Sequence, residues 1–123
     1  MNDSRLADYL QHMAQATIDA CSFVEGLSKE DFIADKRTQQ AVIMNLIILG
    51  ESATKIMDHN AAFAESHPDV PWRNMRGMRN RIAHGYFEID LDVVWETVRS
   101  ALPDLQKQLT KLGEVIKAPP EAK

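Results

Sequence analysis

Residues 41–49, which read AVIMNLIIL, decide the fold class of this chain. The stretch is apolar on nearly every side, and the polar residues 51–55 (ESATK) continue it at helical spacing. Its β-branched residues make a buried strand the competing interpretation, but the length and the polar continuation favour a helix. A helix that is apolar all round is buried on more than one side, so we predict a central helix or one that also meets a second subunit. It should open at Asp35 or Thr38 and run to about His59.

Amphipathic stretches on both sides of this segment predict three further main helices. The first carries apolar residues at steps of three and four positions over residues 6–24. The second covers residues 72–84 and follows Pro71, which suits the first position of a helix. The third is capped by Asp90 and carries one long apolar stripe, which Pro103 should bend or split.

The predicted fold class is therefore all-α, an antiparallel helical bundle of four main helices plus short helical turns after Ser28 and within residues 60–70. A length of 123 residues fits one domain, which we place at residues 1–117, with a disordered tail at residues 118–123. The single cysteine excludes an internal disulfide, and the first residues lack the layout of a signal peptide. We expect a cytoplasmic protein with no membrane association, since no apolar run could span a bilayer.

The charge distribution is more informative than the net charge of −4, which by itself gives no support for nucleic-acid binding. The segment from Val70 to Phe87 contains no Asp or Glu. It does contain four arginines, namely Arg73, Arg76, Arg79 and Arg81. A local cationic patch on an acidic protein suits an anionic ligand such as a phosphate backbone.

Helical geometry sorts the residues of this segment into two sides, at roughly 100° per residue. The core side holds three apolar residues, Met75, Met78 and Ile82. The opposite side gathers four polar residues, Arg73, Arg76, Asn80 and His84. Arg79 stands on the flank between the two sides. The polar side thus brings guanidinium, amide and imidazole groups to one surface.

These groups match the requirements of RNA cleavage. Guanidinium groups bind phosphate oxygens in pairs and stabilise the charge of the transition state. Imidazole can take a proton from a ribose 2′-hydroxyl or give one to the leaving oxygen, and no metal is required. However, an arginine-rich helix face is usually only solvated and a single histidine is usually structural, so spacing alone favours the structural interpretation.

Glu51 and the remaining histidines are two further candidates for functional residues. Glu51 either forms a salt bridge to an arginine of the 72–84 helix and orients it, or is an ordinary surface acid, and the sequence leaves both open. The remaining histidines have no metal-ligand spacing, so neither a metal nor another cofactor is predicted: His12, His59 and His67.

The segment RNRIAHGY, residues 79–86, resembles the signature of the HEPN family, an arginine and a polar residue followed by a histidine. Its His-x-Tyr ending is similar to the HepT branch of that family. The wider run at residues 71–87 and the stretch NLIILGE at residues 45–51 resemble it too. The likeness covers roughly residues 3 to 112, and the arginine, asparagine, histidine and tyrosine positions all follow the pattern.

The resemblance implies a HEPN-like homodimer whose active clefts form where the motif helices of two subunits meet. It implies a metal-independent endoribonuclease that acts as the toxin of a type VII-like toxin–antitoxin system, with Arg79 and His84 as its catalytic residues. The antitoxin would be a minimal nucleotidyltransferase that adds AMP units to Tyr86. The substrate-binding or supporting residues would be Asn80, Arg76, Arg73 and Glu51.

A dimer would also answer a geometric difficulty of the motif. Arg79 and His84 are five residues apart, so they do not share one face of a straight helix. Two copies around a twofold axis could bring them into one cleft. The alternative function is a non-catalytic module in which the same basic surface binds a nucleotide or a protein partner.

Overall fold

The computed structural model describes the backbone of residues 3–117 and the side chains of residues 5–114, and within this range all regular elements are helical. The all-α class is therefore confirmed. The tail predicted at residues 118–123 lies outside the described part of the chain. The elements follow in the order α1 (Asp3–Phe23), α2 (Lys29–Ile33), α3 (Lys36–His59), α4 (Ala61–Ser66), α5 (Trp72–His84), a 3₁₀ turn (Tyr86–Glu88), α6 (Leu91–Glu96), a π-helical turn (Thr97–Ala101) and α7 (Leu102–Lys117).

Helix α3 is the centre of the bundle, as its apolar sequence predicts. It packs against α1 and α5, while α1 also packs against α7. Val42, Leu49 and Ile56 of α3 are almost completely buried. The apolar stretch is not covered on every side, however, because Met44 and Ile48 are exposed by 56% and 36%. This helix therefore keeps an apolar edge at the surface in addition to its two buried sides.

Local capping residues define where the helices begin. Ser28 and Asp31 form a reciprocal capping box at α2. Asp35, rather than Thr38, caps α3, and its carboxylate accepts hydrogen bonds from the backbone N–H and the hydroxyl of Thr38 at 3.1 and 2.7 Å. These bonds favour the ionised carboxylate and lower the pKa of Asp35 below its usual range. Asp90 caps α6 as predicted.

The predicted range of α5 is confirmed, while the end of α1 and the position of Pro71 each differ slightly from the prediction. Helix α1 ends at Phe23, and Gly26 lies in the turn that follows, with a φ of 76° that suits glycine. Pro71 occupies the capping position before α5 rather than its first helical position, so the helix begins at Trp72. Both differences are within the range over which helix ends fray.

The fourth main helix is divided, as Pro103 predicts. A proline lacks the N–H that would bond to the carbonyl four residues earlier, and its ring crowds that carbonyl. The chain responds with a π-helical turn at Thr97–Ala101, between α6 and α7. The Cys21 thiol lies 3.8 Å from the carbonyl oxygen of Val98 in this turn, and burial raises the pKa of that thiol.

Helix α5 is attached to the bundle mainly through α3, with Trp72, Met75 and Ile82 buried. The two helices approach closely at Gly50. A Cβ at Gly50 would collide with the Cβ of Arg79 and lie 2.7 Å from the carbonyl oxygen of Met75. Glycine is therefore required here by the packing, and it brings the backbone of α3 directly under Arg79.

No helix in residues 3–117 combines the length and apolar character that crossing a membrane would require.

Candidate functional site

The candidate site is built on α5, whose polar residues point in three directions. Arg76 and Arg79 turn toward α3, where acidic side chains meet them. Asn80 and His84 lie exposed on the outer side of the helix. Arg81 lies exposed on the third side, above a groove that separates α5 from the last helices.

Arg79 is held from two points on α3. Its Nη1 donates to Oε2 of Glu51 at 3.0 Å, and its Nη2 donates to the hydroxyl of Thr54 at 3.2 Å. The Arg79 side chain is only 22% exposed, whereas Glu51 is 51% exposed. Of the two roles left open for Glu51, this contact favours the one in which it orients the motif arginine. Thr54 was not singled out from the sequence, although it lies one helical turn after Glu51.

Arg76 is paired with an acid on the same face of α3. Its Nη2 lies 3.2 Å from Oδ1 of Asp58, which is seven residues beyond Glu51. Arg76 therefore leans toward α3 and away from the side that Asn80 and His84 occupy. Asp58 was not predicted from the sequence, although its seven-residue spacing from Glu51 places both acids along one stripe of the helix.

His84 and Asn80 lie free at the carboxyl-terminal half of α5. Both side chains are exposed, and neither forms a hydrogen bond to another side chain or carbonyl group in the described part of the chain. Helical geometry places His84 about 140° around the axis from Arg79. The guanidinium and the imidazole of one chain therefore face different directions.

Tyr86 follows the end of α5 in a short 3₁₀ turn. This turn is closed by hydrogen bonds from Glu88 N to Gly85 O and from Ile89 N to Tyr86 O, at 2.9 and 3.3 Å. Tyr86 is 42% exposed and meets the ring of Phe87 edge to face, with 5.7 Å between the centroids. Both rings are thus accessible within two or three residues of His84.

The four arginines of α5 divide into two electrostatic classes. Arg76 and Arg79 are neutralised by Asp58 and Glu51. Arg73 and Arg81 are exposed and have no acidic side chain within 4 Å among the described residues. The groove beside the second pair has a volume of about 530 Å³. Within residues 5–114, no three His, Cys, Asp or Glu side chains form a group that could hold a metal ion.

Comparisons with known proteins identify the family of this chain. The family model described as "Ribonuclease HepT-like" matches residues 13–112. The chain is 40% identical over 105 residues to "Probable ribonuclease HepT" of Thermococcus cleftensis, covering 85% of this chain and 93% of that protein. It is 34% identical over 104 residues to a protein named as an RNase in Caldanaerobacter subterraneus, covering 85% and 90%. No solved structure gives a significant match.

Proposed function

The chain belongs to the HepT-like ribonuclease family, and from this premise we propose that it is an RNA-cleaving toxin whose active cleft joins Arg79 and His84 of two subunits. The observation that carries the proposal is the contrast between these two residues. Arg79 is fixed by two hydrogen bonds, whereas the His84 imidazole is exposed and free to move a proton. A fixed cation and a free acid–base group are the two components that metal-independent phosphodiester cleavage requires.

The proposed reaction uses the ribose of the substrate as its nucleophile. The 2′ oxygen attacks the adjacent phosphorus, and the bond from phosphorus to the 5′ oxygen breaks. The products are a 2′,3′-cyclic phosphate and a free 5′-hydroxyl. His84 takes the proton of the 2′-hydroxyl and then gives it to the departing 5′ oxygen, or makes one of these two transfers while water makes the other. Arg79 stabilises the charge that builds on the phosphate. Asn80 orients the substrate or the imidazole.

Glu51 and Thr54 serve as positioning residues in this proposal. They each accept a hydrogen bond from one terminal nitrogen of Arg79 and hold its guanidinium in one orientation. Its Nε is buried, so the N–H groups left for a phosphate are the second ones on the two terminal nitrogens. A guanidinium held in place before substrate binds loses less conformational freedom on binding. Arg76 and Arg73 bind flanking phosphates, with Arg76 exchanging Asp58 for an anion.

The homodimer is part of the proposal because one chain does not converge Arg79 and His84. The residues point about 140° apart around α5, so a cleft that uses both takes each from a different copy. An exposed apolar edge formed by Met44 and Ile48 of α3 offers a surface that a second copy could bury.

We further propose that a minimal nucleotidyltransferase antitoxin, in a type VII-like system in the cytoplasm, modifies Tyr86 with AMP. The exposed ring of Tyr86 lies two residues beyond His84. Each AMP unit would add a phosphate beside the arginines of α5 and so compete with RNA for the same cations.

Subunit complementation tests the active cleft. We expect Arg79→Ala and His84→Ala each to abolish cleavage of single-stranded RNA by the purified protein. Co-expression of the two variants should restore activity, because a mixed dimer contains one cleft with both intact residues. A mixed dimer that forms but stays inactive would show that the two residues do not act across the interface. Undiminished cleavage by the double variant would refute the catalytic assignment.

Intact mass tests the modification. Protein made together with the neighbouring nucleotidyltransferase should gain mass in steps of AMP and lose RNA cleavage. The Tyr86→Phe variant should keep its unmodified mass and its activity. Modification that maps to another residue would contradict the role of Tyr86.

The alternative function is a non-catalytic module in which the same basic surface binds a nucleotide or a protein partner. Arg73 and Arg81 of α5, which are exposed and meet no acidic side chain among the described residues, are compatible with it. Unmodified protein that binds nucleotide but leaves varied RNAs intact would favour this alternative over the ribonuclease.

A further inference from the structure

We propose that the groove between α5 and the last two helices holds a nucleotide of a single-stranded RNA beside the cleavage site, with its phosphate on Arg73 and Arg81. We call it the α5 groove. It rests on the proposed ribonuclease function for its substrate, but its residues are separate from the Arg79–His84 pair. Its volume of about 530 Å³ lies within the range of small-ligand sites, roughly 300 to 1,000 Å³.

The side of the α5 groove on α5 is a ridge with cations at both ends. Arg73, Gly77 and Arg81 occur at intervals of four residues, so they lie in a row along one side of the helix. The Arg81 guanidinium folds back toward the middle of this row, since its Nη1 lies 3.6 Å from where a Cβ at Gly77 would be. The missing side chain at Gly77 leaves a notch between the two arginines that a phosphate can enter.

The two arginines of this ridge are available for an anion in a way that their neighbours are not. Arg76 and Arg79 each give a terminal nitrogen to an acid of α3. Arg73 and Arg81 are exposed, with no acidic side chain within 4 Å in the described part of the chain. A phosphate on the ridge therefore gains charge-assisted hydrogen bonds without first breaking an ion pair.

The floor of the α5 groove is apolar and suits a nucleobase rather than a second phosphate. It is formed by side chains from α3, α5 and α7, namely Leu46, Leu49, Met75, Met78, Leu102 and Leu105. Met78 is only partly buried, and a methionine thioether makes favourable contacts with a flat ring. A base on this floor and a phosphate on the ridge together describe one nucleotide.

The two walls of the α5 groove differ in charge. Val93, Thr97 and Ala101 form the wall opposite α5, and they also line a shallow surface on the far side with Asp92, Glu96 and Asp104. Asp92 is paired with Lys29, but Glu96 and Asp104 repel a phosphate from that side of the wall, while the arginines attract it to the side of α5. An RNA strand should therefore run along α5, toward the end of the helix that carries His84.

Affinity for a short single-stranded RNA tests the role of the arginines. The measurement uses the full chain in a His84→Ala background, in which the RNA stays intact. We expect Arg81→Gln and Arg73→Gln each to weaken binding about tenfold, since each removes a charge-assisted contact. Each should also reduce the slope of log affinity against log salt by about 0.7.

Arg37→Gln is the matched control, because Arg37 is an exposed arginine near the start of α3. It removes the same charge, and we expect less than a twofold change in affinity with an unaltered salt slope. Equal losses in Arg37→Gln and Arg81→Gln would overturn the proposal, since they would indicate a general charge effect. Unchanged RNA affinity in both Arg81→Gln and Arg73→Gln would overturn it as well.

Gly77→Ala tests the notch separately from charge. The added methyl group makes only ordinary contact with Arg81, and alanine favours the helix, so the variant should unfold at a higher temperature. RNA affinity should nevertheless fall several-fold, because the notch is filled. Higher stability with undiminished affinity would show that the notch is not used.

Further readouts distinguish the strand from other occupants. AMP should bind the wild type more weakly than the RNA does and should compete with it. Loss of AMP binding with unchanged RNA affinity in Arg81→Gln would indicate a free mononucleotide and overturn the assignment to a strand. A changed oligomeric state with unchanged RNA affinity would indicate that a second copy covers the groove. Wild-type protein that binds RNA through these arginines without cleaving it would refute the ribonuclease and leave the α5 groove standing.

Discussion

Two sides of α5 carry arginines, which are paired with acids on one side and meet no acid among the described residues on the other. On the side of α3, Arg76 and Arg79 are held by carboxylates at 3.2 and 3.0 Å. On the side of the α5 groove, Arg73 and Arg81 are exposed and meet no acid within the described residues. The role that an arginine of α5 can take therefore depends on whether it faces the acids of α3 or the α5 groove. Held arginines suit a transition state of fixed geometry, and free ones suit a flexible strand.

Disrupting the contact between α3 and α5 should have the largest effect on stability and activity, because this contact positions Arg79. Gly50→Val places a side chain against the Cβ of Arg79 and the carbonyl oxygen of Met75. We expect it to lower the free energy of unfolding by about 2–3 kcal/mol and to displace Arg79, with loss of RNA cleavage. Denaturant unfolding and the cleavage rate measure both effects.

Gly113→Ala is the matched control for this substitution. A Cβ at Gly113, in α7, meets no atom within 4 Å. Alanine there should raise the free energy of unfolding by about 0.5–1 kcal/mol. If Gly50→Val were as stable and active as the wild type, the close approach of the two helices would not be what positions Arg79.

Weakening the contacts that hold Arg79 without disrupting the fold should lower the rate of RNA cleavage. Glu51→Gln removes the negative charge from one of the two contacts that hold Arg79, and Thr54→Val removes the other contact. We expect kcat to fall on the order of tenfold to a hundredfold because a displaced catalytic group is costly, with a much smaller change in KM. The free energy of unfolding should change by no more than about 1 kcal/mol, since the ion pair is partly exposed. A fall in stability that accounts for the lost activity would mean that Glu51 is only structural.

Freeing Arg76 should convert a held arginine into an available one. Asp58→Asn removes its carboxylate partner, so we expect a few-fold gain in RNA affinity and a steeper dependence on salt. Asp8→Asn makes the same change of charge at an exposed site on α1 and controls for net charge. Equal gains in the two variants would indicate that the Arg76–Asp58 pair does not restrain RNA binding.

The smallest expected effect concerns Asp35, which caps the start of α3. Hydrogen bonds from Thr38 hold the pKa of Asp35 below its ordinary value near 3.8. A depressed pKa in the folded state means that the contribution to stability is present above pH 3.8 and is lost as the pH falls through the folded value. The unfolding temperature should therefore fall less between pH 6 and pH 2 in Asp35→Ala than in the wild type. Parallel curves would contradict the capping role.

Locally determined features were predictable from the sequence. Asp35 and Asp90 cap helices because a carboxylate can reach a backbone N–H two or three residues later, and this needs no distant partner. Pro103 divides its helix for an equally local reason. The Glu51 salt bridge was one of two interpretations that the sequence left open, and the structure forms it with Arg79.

Features that depend on tertiary packing were not predictable. Arg76 was placed with Asn80 and His84 by helical projection, but its long side chain turns to Asp58 on another helix. The α5 groove depends on the distance between α5 and the last helices, and a single-helix projection contains no such distance. Projection gives the direction of Cβ and leaves the position of a guanidinium undetermined.

The attachment of α5 chiefly through α3 has a consequence for the exchange of backbone amides with solvent. A helix with one main neighbour can detach while α1, α3 and α7 remain packed, so its opening free energy lies below that of global unfolding. Its amides should exchange with deuterium earlier than those of α1 and α3. A ligand that bridges α5 to the last helices would slow that exchange, which makes the motif helix a separable folding unit that substrate itself stabilises.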